Sequence, residues 1–168
     1  MSVTIPTAHA MEAVGFAMGA VARAGDVVIL SGPLGAGKTT FARGFGEGLT
    51  VETPVSSPTF VVAREHPSAD ATRPPLIHID AYRLGSAGEL DELDIDVEHC
   101  VVVAEWAAPY AFVLSDHWIE ISLERPVGGG GDLDSDQPRQ LTLVAYGKSG
   151  DAFVRLGAAL EGVDVSRH

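Results

Sequence analysis

Residues 32–39 read Gly32-Pro33-Leu34-Gly35-Ala36-Gly37-Lys38-Thr39. This is a G-x-x-x-x-G-K-[ST] run, and each residue type in it has a task. Glycines let the backbone wrap so that successive N–H groups point inward at a polyphosphate. Lys38 is placed to reach the β- and γ-phosphates, and the Thr39 hydroxyl to ligate Mg²⁺. The contacting run extends through Thr40. Such a site also needs acidic groups at the ends of neighbouring strands to manage the metal and the attacking water. Two apolar runs end that way, LIHID at Asp80 and VVVAE at Glu105. The run before Glu105 is the more apolar and is expected to be the more central strand. Glu105 is therefore expected to take the metal, and Asp80 to position or activate water.

The elements that must hold these residues can be read from local patterns. The glycine-rich loop follows DVVIL (26–30), a β-branched run typical of a buried parallel strand. It precedes TTFARGFGEGL, a helix despite Gly44, Gly46 and Gly48, which lower propensity but permit close packing. That strand-loop-helix context is what the phosphate loop requires, because the helix N-terminus adds partial positive charge. Upstream, Met11, Val14, Met18 and Val21 mark an amphipathic helix over 10–23, with Gly25 positioned to end it. Further strands are expected at 59–65, 76–80, 100–105, 118–124 and 139–146, with a closing helix at 150–160. SAGE (86–89) has the form of a capping box opening an acidic helical turn. Alternating strands and helices around one phosphate loop predict an α/β fold. It is expected to be a single domain over 1–168 with a mixed sheet. The stretch 126–138, rich in glycine and aspartate, reads as a mobile loop.

Three smaller features have plainer readings. SSPTF (56–60) contains Ser57 and Thr59, either a switch-like segment whose hydroxyls sense the γ-phosphate or a proline turn entering a strand. His78 is read as a packed or hydrogen-bonded strand histidine, and ELDELDIDVE (89–98) as a solvated acidic face.

Composition bounds the function. Lys and Arg number 11 against 23 Asp and Glu, a formal charge of −12. A surface so acidic repels phosphate backbones, which argues against independent binding to DNA or other nucleic acid along a broad face. Cys100 is the single cysteine, so no intrachain disulfide can form, and a reducing compartment is expected. The N-terminus lacks a signal-peptide pattern and no apolar run is long enough to cross a bilayer, so a cytoplasmic location is expected.

The motifs GPLGAGKTTFARGFGEGL, SPTF, HIDAYRL, GELDELDI and VVVAEW occur in the order and spacing of one family. The chain resembles the TsaE (YjeE-like) ATPases over about residues 5 to 110. The resemblance implies a three-layer P-loop NTPase-like domain with a mixed, mostly parallel central sheet, in an ATP- and Mg²⁺-dependent protein of tRNA threonylcarbamoyladenosine synthesis. Its hydrolysis would be slow alone and stimulated by docking on TsaB and TsaD, with TsaD performing the group transfer and tRNA met only through that complex. It also implies that Lys38 is the phosphate lysine, that Thr39 and Glu105 hold magnesium, and that Asp80 is the second acidic group. By the same resemblance Thr59 falls in the switch-like segment and Trp106 beside the site, while Arg139 lies where a C-terminal arginine approaches the nucleotide. The chain departs from the family at Ala107-Ala108-Pro109 after Trp106, and at Val61, where the family carries threonine.

Two other functions compete. A small-molecule or nucleoside kinase would carry several arginines in a lid. The segment between Glu105 and the closing helix has only Arg125 and Arg139. A nucleotide-dependent docking module would need ATP binding but not turnover, and an Asp80 variant separates it from an ATPase.

Overall fold

The structure, a computed structural model, describes residues 1–56, 62–125 and 137–165. In chain order the elements are β1 (Ser2–Ile5), α1 (Ala8–Val21), β2 (Val27–Ser31), α2 (Lys38–Gly48), β3 (Ala63–His66) and β4 (Leu76–Asp80). There follow α3 (Ala87–Asp91), β5 (Val101–Glu105), α4 (Ala111–Leu114), β6 (Trp118–Glu124), β7 (Arg139–Tyr146) and α5 (Gly150–Glu161). The seven strands form one sheet in the order β1-β7-β6-β2-β5-β4-β3. Its centre, β6-β2-β5-β4, is parallel, and the outer pairs are antiparallel. The expected mixed α/β sheet with a mostly parallel core is present.

Side-chain alternation divides the sheet into two faces. Val28, Leu30, Leu76, Val101, Val103, Ile119, Ile121 and Leu123 join the larger core with residues of α1, α2 and α5. Val27, Ile29, Ile79, Val102 and Ala104 form a smaller core on the other face, closed by short α3 and α4 and by 3-10 turns. On strands buried on both sides, continuous apolar runs rather than alternation are expected, as in VVVAE, where every residue is buried.

Helices α1 and α2 meet backbone to backbone. A Cβ at Gly15 or Gly19 would lie 2.3 and 2.0 Å from the carbonyl oxygens of Phe41 and Phe45. A Cβ at Gly44 or Gly48 would lie 2.1 and 2.0 Å from those of Glu12 and Phe16. Close packing therefore accounts for Gly44 and Gly48, whereas Gly46 faces Val55 and Val51. Arg43 Nε also donates to Glu12 Oε1 across this seam at 2.6 Å. Because α2 begins at Lys38, the seam helps set where the phosphate loop ends.

Several local expectations are corrected. α1 ends at Val21 rather than at Gly25, since Arg73 donates to the terminal carbonyls of Gly19 and Ala20, both at 2.8 Å. Gly25 (φ 90°) instead turns the chain into β2. Ser86 precedes α3 but makes no capping hydrogen bond to its backbone, and Glu89 accepts from the Gly85 N–H at 3.4 Å. The capping box is thus not formed as such. The expected strand over 59–65 is observed as Ala63–His66, and residues 57–61 lie outside the described residues. β1 was not expected at all. Its four residues, SVTI, do alternate, with Val3 and Ile5 turned to the larger core, but the run is too short to mark a strand by itself and is held by pairing with β7, Ser2 opposite Thr142.

Candidate functional site

The glycine-rich loop leaves β2 at Ser31 and enters α2 at Lys38. Gly32 has φ 138°, and a Cβ there would come within 2.3 Å of the Leu123 carbonyl oxygen of β6. Gly37 caps α2 with φ 105°, a left-handed conformation that costs glycine nothing. Between them the loop curls tightly enough for the Lys38 ammonium to donate back to the carbonyls of Gly32 and Pro33, at 2.8 and 2.9 Å.

The loop forms one wall of a cleft of about 430 Å³. Leu34, Gly35, Ala36, Gly37, Lys38, Thr39 and Thr40 line it from one side, with Asp80, Glu105, Trp106 and Arg139. Gly32 and Pro33 do not line the cleft but hold Lys38 from below. Ser57 and Thr59 lie outside the described residues, as does most of the 126–138 stretch. Thr7, Met11, Tyr82 and Gln137 also line the cleft and were not anticipated. Thr7 was hidden by its ordinary task, since its hydroxyl accepts from the Ala10 N–H as the cap of α1.

Parity explains how the acidic groups meet. In the parallel register of β4 and β5, Asp80 stands opposite Glu105. Each strand turns alternate residues toward the α2 side, and Leu76 and Val103 on that side pack in the larger core. Glu105 is 4% exposed. The Thr39 hydroxyl lies 3.1 Å from both of its carboxylate oxygens, and His78 Nε2 donates to Oε1 at 3.0 Å. Asp80 is only half-buried, and its Oδ1 accepts the Tyr82 N–H at 3.1 Å, opening a 3-10 turn at Ala81–Arg83.

Lys38 is buried at the mouth of α2, with its ammonium 3.7 Å from the centre of the Trp106 ring, within reach of a cation–π interaction. Burial pushes its pKa below the ordinary lysine value, and the nearby carboxylates of Glu105 and then Asp80 pull the other way. Trp106 has φ 62°, a conformation costing a bulky residue about 1–3 kcal/mol. Its backbone N–H is nevertheless bonded to Leu30 O, and its ring packs on Tyr82 with centroids 5.3 Å apart. Arg139, at the start of β7, donates to the Gln137 carbonyl at the cleft's rim.

The donor set fits magnesium better than a protein-enclosed metal. Among the described residues no cluster of three or more His, Cys, Asp or Glu could hold an ion. Magnesium keeps several waters and takes one or two protein oxygens beside substrate phosphates, which is what one hydroxyl and one carboxylate beside a phosphate loop offer. Among the described residues no helix is long and apolar enough to cross a membrane.

Comparison with known proteins extends this. The family model described as "Threonylcarbamoyl adenosine biosynthesis protein TsaE" matches residues 5–128. The tRNA threonylcarbamoyladenosine biosynthesis protein TsaE of Streptomyces coelicolor is 44% identical over 141 residues, 82% of this chain and 92% of that one. The protein of the same name from Mycobacterium tuberculosis is 45% identical over 130 residues, 73% and 77% of the two chains. A crystal structure of YdiB from Bacillus subtilis superposes with a TM-score of 0.64 at 29% identity, covering 100% of this chain and 95% of that one.

Proposed function

The chain belongs to the TsaE family, and we propose that it is the Mg²⁺-dependent ATP-binding and ATP-hydrolysing component of tRNA N6-threonylcarbamoyladenosine synthesis at position 37, acting on a TsaB–TsaD pair. It would do so as a single cytoplasmic P-loop domain. The observation that carries the reading is the convergence of Lys38, Thr39 and Glu105 at one end of a nucleotide-sized cleft.

The roles follow from chemistry. Backbone N–H groups of residues 34–40 and the α2 N-terminus cradle the phosphates. Lys38 exchanges its bonds to Gly32 and Pro33 for the β- and γ-phosphate oxygens, a charge-assisted gain. Magnesium supplies charge neutralisation on those phosphates, and Thr39 and Glu105 would hold it. Asp80 orients the attacking water or an outer water of the metal. Ser57 and Thr59 would sense the γ-phosphate, and Arg139 would approach the nucleotide from the rim. The formal charge of −12 supports leaving tRNA contact to the partners.

Reconstitution tests the proposal. Phosphate release from ATP is expected to be weak for the isolated chain and clearly stimulated by TsaB and TsaD, with Lys38→Ala abolishing both release and tRNA modification. Absence of stimulation, with modification indifferent to Lys38→Ala, would refute it. Phosphorylation of a metabolite without TsaB or TsaD would identify a kinase instead.

A further inference from the structure

His78 is fully buried within β4, in a strand whose neighbours Leu76 and Ile79 are fully buried apolar residues. Its Nε2 lies 3.0 Å from Glu105 Oε1, and a carboxylate can only accept, so Nε2 carries the proton. Nδ1, equally buried, has no hydrogen-bond partner among the described residues. A buried polar atom left without a partner costs stability, and an aliphatic residue on this strand would avoid that cost. The imidazole therefore calls for an explanation other than packing.

Its one bond supplies it. Glu105 sits at the last residue of β5, with three side-chain contacts that define its orientation. Oε1 receives both His78 and Thr39, and Oε2 receives the same Thr39 hydroxyl at 3.1 Å. Among the described residues, without His78 the carboxylate would accept from a single hydroxyl that is itself a proposed ligand. The rigid contact comes from inside the sheet, where β4 and β5 are hydrogen-bonded in register. We propose that His78 is a positioning residue: its Nε2–H fixes the Glu105 carboxylate from behind so that carboxylate and Thr39 hydroxyl present a preset pair of oxygens to the magnesium of the nucleotide complex. This rests on the nucleotide-site reading above. Groups that orient a metal-binding side chain typically change metal affinity or activity by about 10–100-fold when removed.

The test uses the full chain and a fluorescent, non-hydrolysable ATP analogue titrated with and without Mg²⁺. His78→Leu removes the donor. His78→Gln keeps an N–H near the position of Nε2. The Mg²⁺ concentration for half-maximal effect on binding should rise about tenfold in His78→Leu, while Mg²⁺-free binding stays near wild type. His78→Gln should recover most of the shift, with melting temperatures measured for both. An unchanged Mg²⁺ requirement in a folded His78→Leu would overturn the inference. So would equal loss in both variants that tracks only their melting temperatures. If wild-type binding itself ignores Mg²⁺, the nucleotide-site reading fails and this inference with it, a result distinct from a responsive wild type and an indifferent variant.

Discussion

Gly19→Ala sets local propensity against tertiary packing, and the two predict opposite signs. Gly19 lies within α1, where alanine is favoured over glycine by about 1 kcal/mol. Propensity alone therefore predicts a more stable protein. In the folded chain, however, the new methyl would sit 2.0 Å from the Phe45 carbonyl oxygen and 2.8 Å from its carbon. Close C–H···O contacts lie at about 3.3 Å, so the two helices would have to part by roughly 1.3 Å. Both contacting groups are backbone, so no rotamer change can relieve the clash. Overpacking of this kind costs about 3 kcal/mol, leaving a net loss of about 2 kcal/mol after the propensity gain. For a domain of this size that lowers the melting temperature by roughly 4–8 °C. Thermal denaturation followed by circular dichroism measures it. Gly150→Ala is the internal control, because nothing lies within 4 Å of a Cβ at that helical position. It should leave the melting temperature unchanged or raise it. A Gly19→Ala protein as stable as wild type would show that the α1–α2 seam does not need its glycines.

Three further outcomes are expected. Asp80→Asn keeps an oxygen for the Tyr82 N–H, so the fold and ATP binding should survive. Stimulated hydrolysis should fall about 100-fold, and repeated tRNA modification with it; sustained modification by this variant would favour a docking module. The chain has two tryptophans, Trp106 against the Lys38 ammonium and Trp118 stacked on Tyr146 with centroids 4.9 Å apart. Adding Mg·ATP should change the intrinsic fluorescence of wild type and of Trp118→Phe but not of Trp106→Phe; an unchanged Trp118→Phe signal would show that Lys38 does not leave the Trp106 ring. Burial pushes the Cys100 thiol up to about 11, so the thiolate, the reactive form, gains population only as pH rises toward that value. At pH 8 the fraction is about 10⁻³, and a thiol reagent should label the native chain at least ~100-fold more slowly than the chain in denaturant. Fast native labelling would show that this face opens.

Some of this protein is legible residue by residue. The phosphate loop, the helix after it and the apolar strands before Asp80 and Glu105 are local patterns, because loop curvature, helix capping and strand burial depend on neighbours a few residues away. Even the shared face of His78 and Asp80 follows from alternation along LIHID, and so does a hydrogen-bonded histidine there, but not which group it bonds. The joining of the site is different. Thr39 and Glu105 are 66 residues apart and His78 and Glu105 are 27 apart, and only the register of β4 on β5, with α2 laid over them, brings their oxygens and nitrogen within 3.1 Å. The same holds for Thr7 and Met11, which reach the cleft because four glycines let α1 lie against α2. It holds for β1 too, whose four residues become a strand only beside β7. Local sequence determined what kind of groups were available. Long-range backbone pairing and close helix contact, which no short window encodes, decided which of them meet.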